Sequence, residues 1–174
     1  MRFEVGKLSQ MGIFIALAIA LKLPILQIPN VEFFTFVVFS SGYLLGKKEG
    51  SMVGGLSMLL YTTFNPYGLP PLPIGVAQVF SMLLIGFFGG VVCQMNLIKF
   101  PKVSAFVIMS FFGLGLTLMY DLLTNLATAY VMGQFIPVMI AGIPFALIHI
   151  GSNTLIFVVL TPLLSKMEKF QKRC

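Results

Sequence analysis

Four side chains in this 174-residue sequence that could do chemistry lie in its apolar region 103–165. Asp121 and Asn125 are four residues apart, and His149 and Asn153 repeat that spacing. Residues four apart lie on one face of a helix, so each pair would point in one direction. A charged side chain in the middle of a bilayer costs roughly 3 kcal/mol, so an acid there indicates a functional site by default.

The segment "MGQF" (132–135) would place Asp121 and His149 at a similar depth. If it joins two antiparallel helices, both residues lie roughly 18–20 Å from the turn at 1.5 Å per residue. The sequence therefore predicts a contact between Asp121 and His149 across a helical hairpin. Two interpretations of these polar residues stay open. They either fasten the two helices by hydrogen bonds worth about 0.6 kcal/mol each, or they line a polar cavity that opens outward.

A second polar set lies in two segments that contain no lysine or arginine. The set comprises Gln27, Asn30 and Glu32 in "LQIPNVEFF" (26–34), and Tyr61, Asn65, Tyr67 and Gln78 in "YTTFNPYGLPPLPIGVAQ" (61–78). The prolines make the second segment a stiff, non-helical cap. Rigid amide and aromatic groups above a membrane cavity are typical of small-ligand capture, and a plain connecting loop is the alternative. Five residues of this set, together with the four residues above, are the nine candidate substrate-binding residues: Asn30, Glu32, Asn65, Tyr67 and Gln78.

The composition indicates a membrane protein. Hydrophobic residues make up 58% of the chain and charged residues 9%, against about 25% charged residues in soluble domains. Apolar runs near the roughly 20 residues that cross a bilayer recur along the whole chain. We predict an all-α integral membrane protein, a bundle of six transmembrane helices surrounded by lipid, with one substrate-binding domain over 1–174. The predicted spans are 8–27, 32–46, 50–65, 74–96, 103–131 and 136–165. The second and third are short for a full crossing.

Basic residues predict the orientation of the bundle. Ten of the eleven lysines and arginines lie at the two ends of the chain or in alternate connecting segments. By the positive-inside rule these segments face the cytoplasm, which places both termini there. The exception is Lys22, inside the first span. This asymmetry accounts for the net charge of +6 without a nucleic-acid partner.

The chain has no motif that is typical of an enzyme. It contains no phosphate-binding Gly-Lys-Ser/Thr loop, no cluster of histidine and cysteine ligands for a metal, and no Gly-x-Ser-x-Gly nucleophile. We therefore predict no catalytic residue, no metal site and no cofactor. Two other functions stay open: a membrane scaffold that transports nothing, and a membrane-embedded lipid enzyme that uses Asp121 and His149.

Small residues recur at four-residue intervals in the first span, where Gly12, Ala16 and Ala20 form one strip. The same spacing recurs at Gly46, Gly50 and Gly54 and at Gly86 and Gly90. Such strips let helix backbones approach each other closely. Each strip predicts either close packing inside the bundle or a docking site for a partner.

Four segments, taken in order, resemble one protein family. They are Ala16-x-x-x-Ala20, "PNVEFFTFVVFSSGYLLGKKEG" (29–50), "NPYGLPPLP" (65–73) and "GIPFALIHIGSNTLIF" (142–157). The chain resembles the substrate-binding subunits, or S components, of energy-coupling factor (ECF) vitamin transporters in prokaryotic cell membranes. The resemblance implies six helices that bind a vitamin or vitamin precursor near the outer face. It also implies that the face with Ala16 and Ala20, extended by Gly12, docks onto a transmembrane coupling subunit that carries two ATPases.

The identity of the vitamin stays open at this point. The segments "YDLLTNLATA" (120–129) and "IPFALIHIGSNTL" (143–155) look most like S components for cobalamin or related corrinoids, which makes a corrinoid the favoured substrate. A thiamine precursor, riboflavin, folate and a queuosine precursor are the alternatives. A cationic substrate such as thiamine would use Asp121 or Glu32 as its counter-ion, whereas a corrinoid would favour Asn, Gln and Tyr side chains. Because binding residues follow the substrate in this family, only the Ala16/Ala20 strip is carried over by motif.

Overall fold

The computed structural model describes residues 5–64, 66–95 and 101–168, and within them the chain forms six α-helices. These are α1 (Val5–Lys22), α2 (Phe34–Leu45), α3 (Lys47–Phe64), α4 (Leu72–Cys93), α5 (Lys102–Met132) and α6 (Phe135–Glu168), with a 3₁₀ turn at Leu23–Ile25 after α1. The predicted fold class, an all-α bundle of six helices, is confirmed. The helices coincide with the predicted spans to within a few residues at each end.

Four of these helices are long and apolar enough to cross a bilayer: α1 with its 3₁₀ turn, α4, α5 and α6. The other two are the spans predicted to be short. α2 has only 12 residues, and all of them are buried, so this helix is the centre of the core. A helix that is apolar all round is expected in such a position. α3 begins with the charged residues Lys47, Lys48 and Glu49.

Glycines bring α2, α3 and α4 into backbone contact. A Cβ atom at Gly42 would lie 1.8 Å from the carbonyl oxygen of Gly86, and one at Gly86 would lie 2.0 Å from that of Gly50. No side chain fits at either position, so the backbones of the three helices lie in direct contact. Gly54 and Gly90 make backbone contacts of the same kind. Of the two predicted roles for these strips, packing inside the bundle is the one that the structure shows.

The small residues of the α1 strip lie on the surface, unlike the glycines between α2, α3 and α4. Gly12, Ala16 and Ala20 are exposed, and a Cβ atom at Gly12 would meet nothing within 4 Å. α1 packs against α2 and α3 through its other face, where Met11 and Ala18 are buried. The exposed face of α1 is therefore an apolar surface that no other described part of the chain covers.

α5 and α6 form an antiparallel hairpin, which sets the height of the polar residues. Gly133 ends α5 in the left-handed conformation (φ 65°), which glycine adopts without strain. α6 begins two residues later and runs back along α5. Gly113 lies against Phe157, and Asp121 lies against His149. α5 also packs on α4, and α6 on α2, so the hairpin closes one side of the bundle.

Candidate substrate-binding site

Four parts of the chain enclose a cavity of about 340 Å³ at one end of the bundle. They are the end of α1 with the segment that follows it, the N-terminal part of α4, the middle of α5 and the first half of α6. Six of the nine predicted substrate-binding residues line this cavity: Asn30, Glu32, Gln78, Asp121, Asn125 and His149. Because the segment after α1 carries no basic residue, this is the end of the bundle that the positive-inside rule predicts to face outward.

A direct hydrogen bond joins α5 to α6 in the cavity wall. Nδ1 of His149 lies 2.7 Å from Oδ1 of Asp121, so the predicted contact across the hairpin is confirmed. The His149 ring stands edge-on to the ring of Tyr120, with 5.8 Å between the centroids. Only 6% of the His149 side chain and 13% of the Asp121 side chain are exposed. The pair thus fastens the two helices and also faces the cavity, as the two interpretations of the sequence proposed separately.

His149 also contacts a second carboxylate through its other ring nitrogen. Nε2 lies 3.5 Å from Oε1 of Glu32, in the segment before α2. Glu32 accepts a 2.5 Å hydrogen bond from Oγ1 of Thr35 and forms an ion pair with Lys22. Since both nitrogens of His149 face carboxylate oxygens, only the doubly protonated imidazolium can donate to both. With His149 in that form and both carboxyl groups ionised, Lys22, Glu32, His149 and Asp121 form a network of alternating charges, the four-charge network.

Lys22 is a member of this network that the sequence did not assign to the site. Its ammonium group lies 4.7 Å from the ring centroid of Tyr61 and 5.3 Å from that of Phe34. Aromatic faces at these distances stabilise a partly buried cation, and only 18% of the Lys22 side chain is exposed. The signal was present in the sequence, because Lys22 is the one basic residue inside a predicted span. A charged residue inside a predicted span indicates a functional site, and this rule applies to Lys22 as it does to Asp121.

Glu32 is ionised although it is buried. Burial by itself raises the pKa of a carboxyl group, but the charges of Lys22 and His149 and their hydrogen bonds hold the pKa of Glu32 below its ordinary value. Glu32 lies in the segment between the 3₁₀ turn and α2, outside the helices. Its negative charge therefore balances that of Lys22 throughout the physiological pH range.

The segment between the 3₁₀ turn and α2 is held against α6. Asn30 has a left-handed backbone conformation (φ 59°), which asparagine tolerates better than most residues. Its carbonyl oxygen accepts a 2.7 Å hydrogen bond from Oγ of Ser152, three residues after His149 on α6. This segment therefore forms a fixed wall of the cavity beside the four-charge network.

Two amide side chains complete the polar lining. Gln78 enters from α4, because the segment predicted to be a non-helical cap is helical from Leu72 onward, and Asn125 enters from α5. Gly142 makes room for Asn125, because a Cβ atom there would lie 2.5 Å from Nδ2 of Asn125. The acceptor atoms Oε1 of Gln78 and Oδ2 of Asp121 are buried and have no hydrogen-bond partner among the described residues. Such groups are costly unless a ligand or water completes their hydrogen bonds.

Three predicted substrate-binding residues are not part of this lining. Asn153 is fully buried one turn along α6 from His149, and neither of its amide atoms has a hydrogen-bond partner in the part of the chain that the structure describes. Tyr67 lies between α3 and α4, outside the cavity lining, with 73% of its surface exposed. Asn65 lies outside the described residues.

Comparison with known proteins identifies the family. Residues 2–169 match the family model described as ECF-type riboflavin transporter, S component. Because the match spans almost the whole chain, the protein belongs to this family. It is a multi-pass membrane protein and a substrate-binding subunit of a vitamin transporter, a role that is binding rather than catalysis. No curated protein and no solved structure matches the chain significantly.

Removing Lys22 should destabilise the protein far more than removing an exposed lysine from an ion pair. In Lys22→Met, the buried carboxylate of Glu32 loses its ammonium partner, and losses of this kind cost about 3–5 kcal/mol. The matched control is Lys7→Met, which breaks the exposed ion pair between Lys7 and Glu49 (3.4 Å) and should cost at most about 1 kcal/mol. Thermal unfolding of the detergent-purified protein, followed by circular dichroism, measures both.

The double variant Lys22→Met/Glu32→Gln tests the pairing itself. Because it removes both charges, it should melt at a higher temperature than Lys22→Met alone. If Lys22→Met and Lys7→Met melt at the same temperature, the buried ion pair does not stabilise the fold.

Proposed function

We propose that this S component binds riboflavin, or a vitamin of the same flavin type, in the cavity beside the four-charge network. The bound vitamin would then be taken up through an ATP-driven coupling module in a prokaryotic cell membrane. The observation that carries the proposal is a cavity of about 340 Å³, lined by amide, carboxylate and imidazole groups, in a member of the riboflavin S-component family. A membrane scaffold would have no need of such a cavity, so this observation also favours ligand binding over that alternative.

The size of the cavity supports a flavin over a corrinoid. Small-molecule sites occupy about 300–1,000 Å³, and this cavity lies near the lower limit. Cobalamin, with its macrocycle and appended nucleotide, is several times larger than riboflavin. It would require the segment after α1 and the hairpin of α5 and α6 to move apart. Riboflavin therefore replaces the corrinoid that sequence resemblance favoured as the proposed substrate.

The lining also suits the chemistry of a flavin. Riboflavin has a planar ring system with one apolar edge and one edge of carbonyl and N–H groups, and its side chain carries hydroxyl groups. Ile25, Leu26 and Phe145 supply apolar surface. Asn125 and Gln78 can each donate and accept hydrogen bonds. A rotation of the Gln78 side chain would turn its unpartnered Oε1 towards the hydroxyl and N–H donors of the ligand.

The exposed strip of α1 supports docking onto a coupling subunit. Gly12, Ala16 and Ala20 leave the α1 backbone accessible to another helix, and small residues at this spacing are typical of close helix pairs in membranes. The chain has no phosphate-binding loop of its own, so the energy of ATP hydrolysis would have to reach it through such a contact. The proposed partners are therefore a transmembrane coupling subunit and its two ATPases.

Riboflavin should bind to the detergent-purified protein at one molecule per chain, whereas cobalamin and thiamine should not bind. Quenching of flavin fluorescence measures the first, and calorimetric titration measures the other two. Asn125→Leu should weaken riboflavin binding about tenfold, because a hydrogen bond in a buried site is worth about 1–3 kcal/mol when it is lost. The control is Leu126→Met, at the next position along α5, whose side chain is 43% exposed and outside the cavity lining. Tight binding of cobalamin without binding of riboflavin would contradict the proposal, and binding of no vitamin at all would favour a scaffold.

Bulky side chains in the strip should block assembly without affecting vitamin binding. Ala16→Leu and Ala20→Leu place a branched side chain where the proposed helix contact needs close approach. Gly151→Leu is the matched control, because Gly151 is also exposed, on α6, and a Cβ atom there would meet nothing within 4 Å. Affinity purification of each tagged variant from its own host, followed by quantification of the associated ATPase subunits, measures assembly. Normal assembly of both strip variants would rule out this docking face.

A further inference from the structure

The charged side chains around the cavity are already paired with one another. Lys22 forms an ion pair with Glu32, and His149 lies 2.7 Å from Asp121 and 3.5 Å from Glu32. With His149 doubly protonated, the two cations and the two carboxylates carry no net charge. Among the described residues that line the cavity, a cationic ligand therefore finds no uncompensated carboxylate, and an anionic ligand finds no uncompensated cation.

Lys22 is held in this arrangement from several sides. Its ammonium group lies within 5.3 Å of the ring centroids of both Phe34 and Tyr61. The Lys22 side chain is 18% exposed and that of Glu32 is 8% exposed. A ligand cation that replaced Lys22 would have to break the ion pair with Glu32 and both ring contacts, so Lys22 remains the counter-ion when a ligand arrives.

We propose that Lys22 and Glu32 determine the charge selectivity of the site. Lys22 takes the place of a positive charge on the ligand, so the cavity accepts a neutral vitamin and disfavours its charged forms. This inference rests on the proposed function, in which a flavin-type vitamin occupies the cavity. Removal of the Lys22 charge would leave the cavity with one excess negative charge, and removal of the Glu32 charge would leave one excess positive charge. One excess charge roughly 10 Å from a ligand charge changes affinity by about tenfold at an effective dielectric constant of about 20.

Riboflavin and riboflavin 5′-phosphate are the probes for this inference, because they share a ring system and hydroxylated chain and differ in the charged phosphate. The measured quantity is the ratio of their two dissociation constants, obtained by fluorescence titration. The proteins compared are the wild type, Lys22→Met, Glu32→Gln and the double variant Lys22→Met/Glu32→Gln. Since both ligands meet the same folded protein, a general loss of stability cancels in the ratio.

The wild type should bind riboflavin more tightly than its phosphate. The preference for riboflavin should rise about tenfold in Lys22→Met and fall about tenfold in Glu32→Gln. In the double variant it should return to the wild-type value, because the cavity is neutral again. Lys7→Met, which removes a charge at the start of α1, far along the helix from Lys22, should leave the ratio unchanged.

The outcomes separate this inference from the proposed function. Equal ratios in all proteins, with riboflavin still bound, would overturn the charge selectivity and leave the proposed function intact. A wild-type protein that binds neither flavin would overturn the proposed function, and this inference with it. If Lys22→Met does not fold, the other two variants still test the charge selectivity. The preference for riboflavin over its phosphate must fall in Glu32→Gln and return to the wild-type value in the double variant.

Discussion

A charged side chain that is buried among helices must be paired, because removal of its partner costs several kcal/mol. In this S component the four-charge network meets that requirement with one residue each from α1, the segment before α2, α5 and α6. The network forms only when all four elements are in place. The contacts that compensate the buried charges are therefore the same contacts that give the cavity its shape.

The rest of the bundle holds these elements in position. α2, α3 and α4 contact one another through glycine backbones and form a close-packed framework. α1 and the hairpin of α5 and α6 lie around it. α1 serves both sides of the proposed function, because Ala16 and Ala20 face outward while Lys22, at the end of the same helix, enters the four-charge network. The proposed docking face and one charged residue of the proposed substrate site thus belong to the same helix.

The sequence was sufficient for the helices and for one contact of the site. Apolar runs predicted the spans, and helix geometry on either side of a short turn predicted the contact between Asp121 and His149. It was not sufficient for the ion pair of Lys22 with Glu32, because the segment between them has no periodicity and its path depends on contacts with α6. Two residues on the same helix face can also have different neighbours. His149 lines the cavity, whereas Asn153, one turn further along α6, is buried among helices. Cavity volume, which changed the proposed substrate from a corrinoid to a flavin, has no signature in a sequence pattern.

The protonation state of His149 tests the four-charge network most directly, and His149 is the only histidine in the chain. Nitrogen NMR of histidine-labelled protein in lipid bilayers therefore reports on this one ring without assignment. Both ring nitrogens should carry a proton at neutral pH, each donated to a carboxylate. A ring with one protonated and one bare nitrogen at neutral pH would contradict the four-charge network, because the alternating charges around the cavity would then not exist.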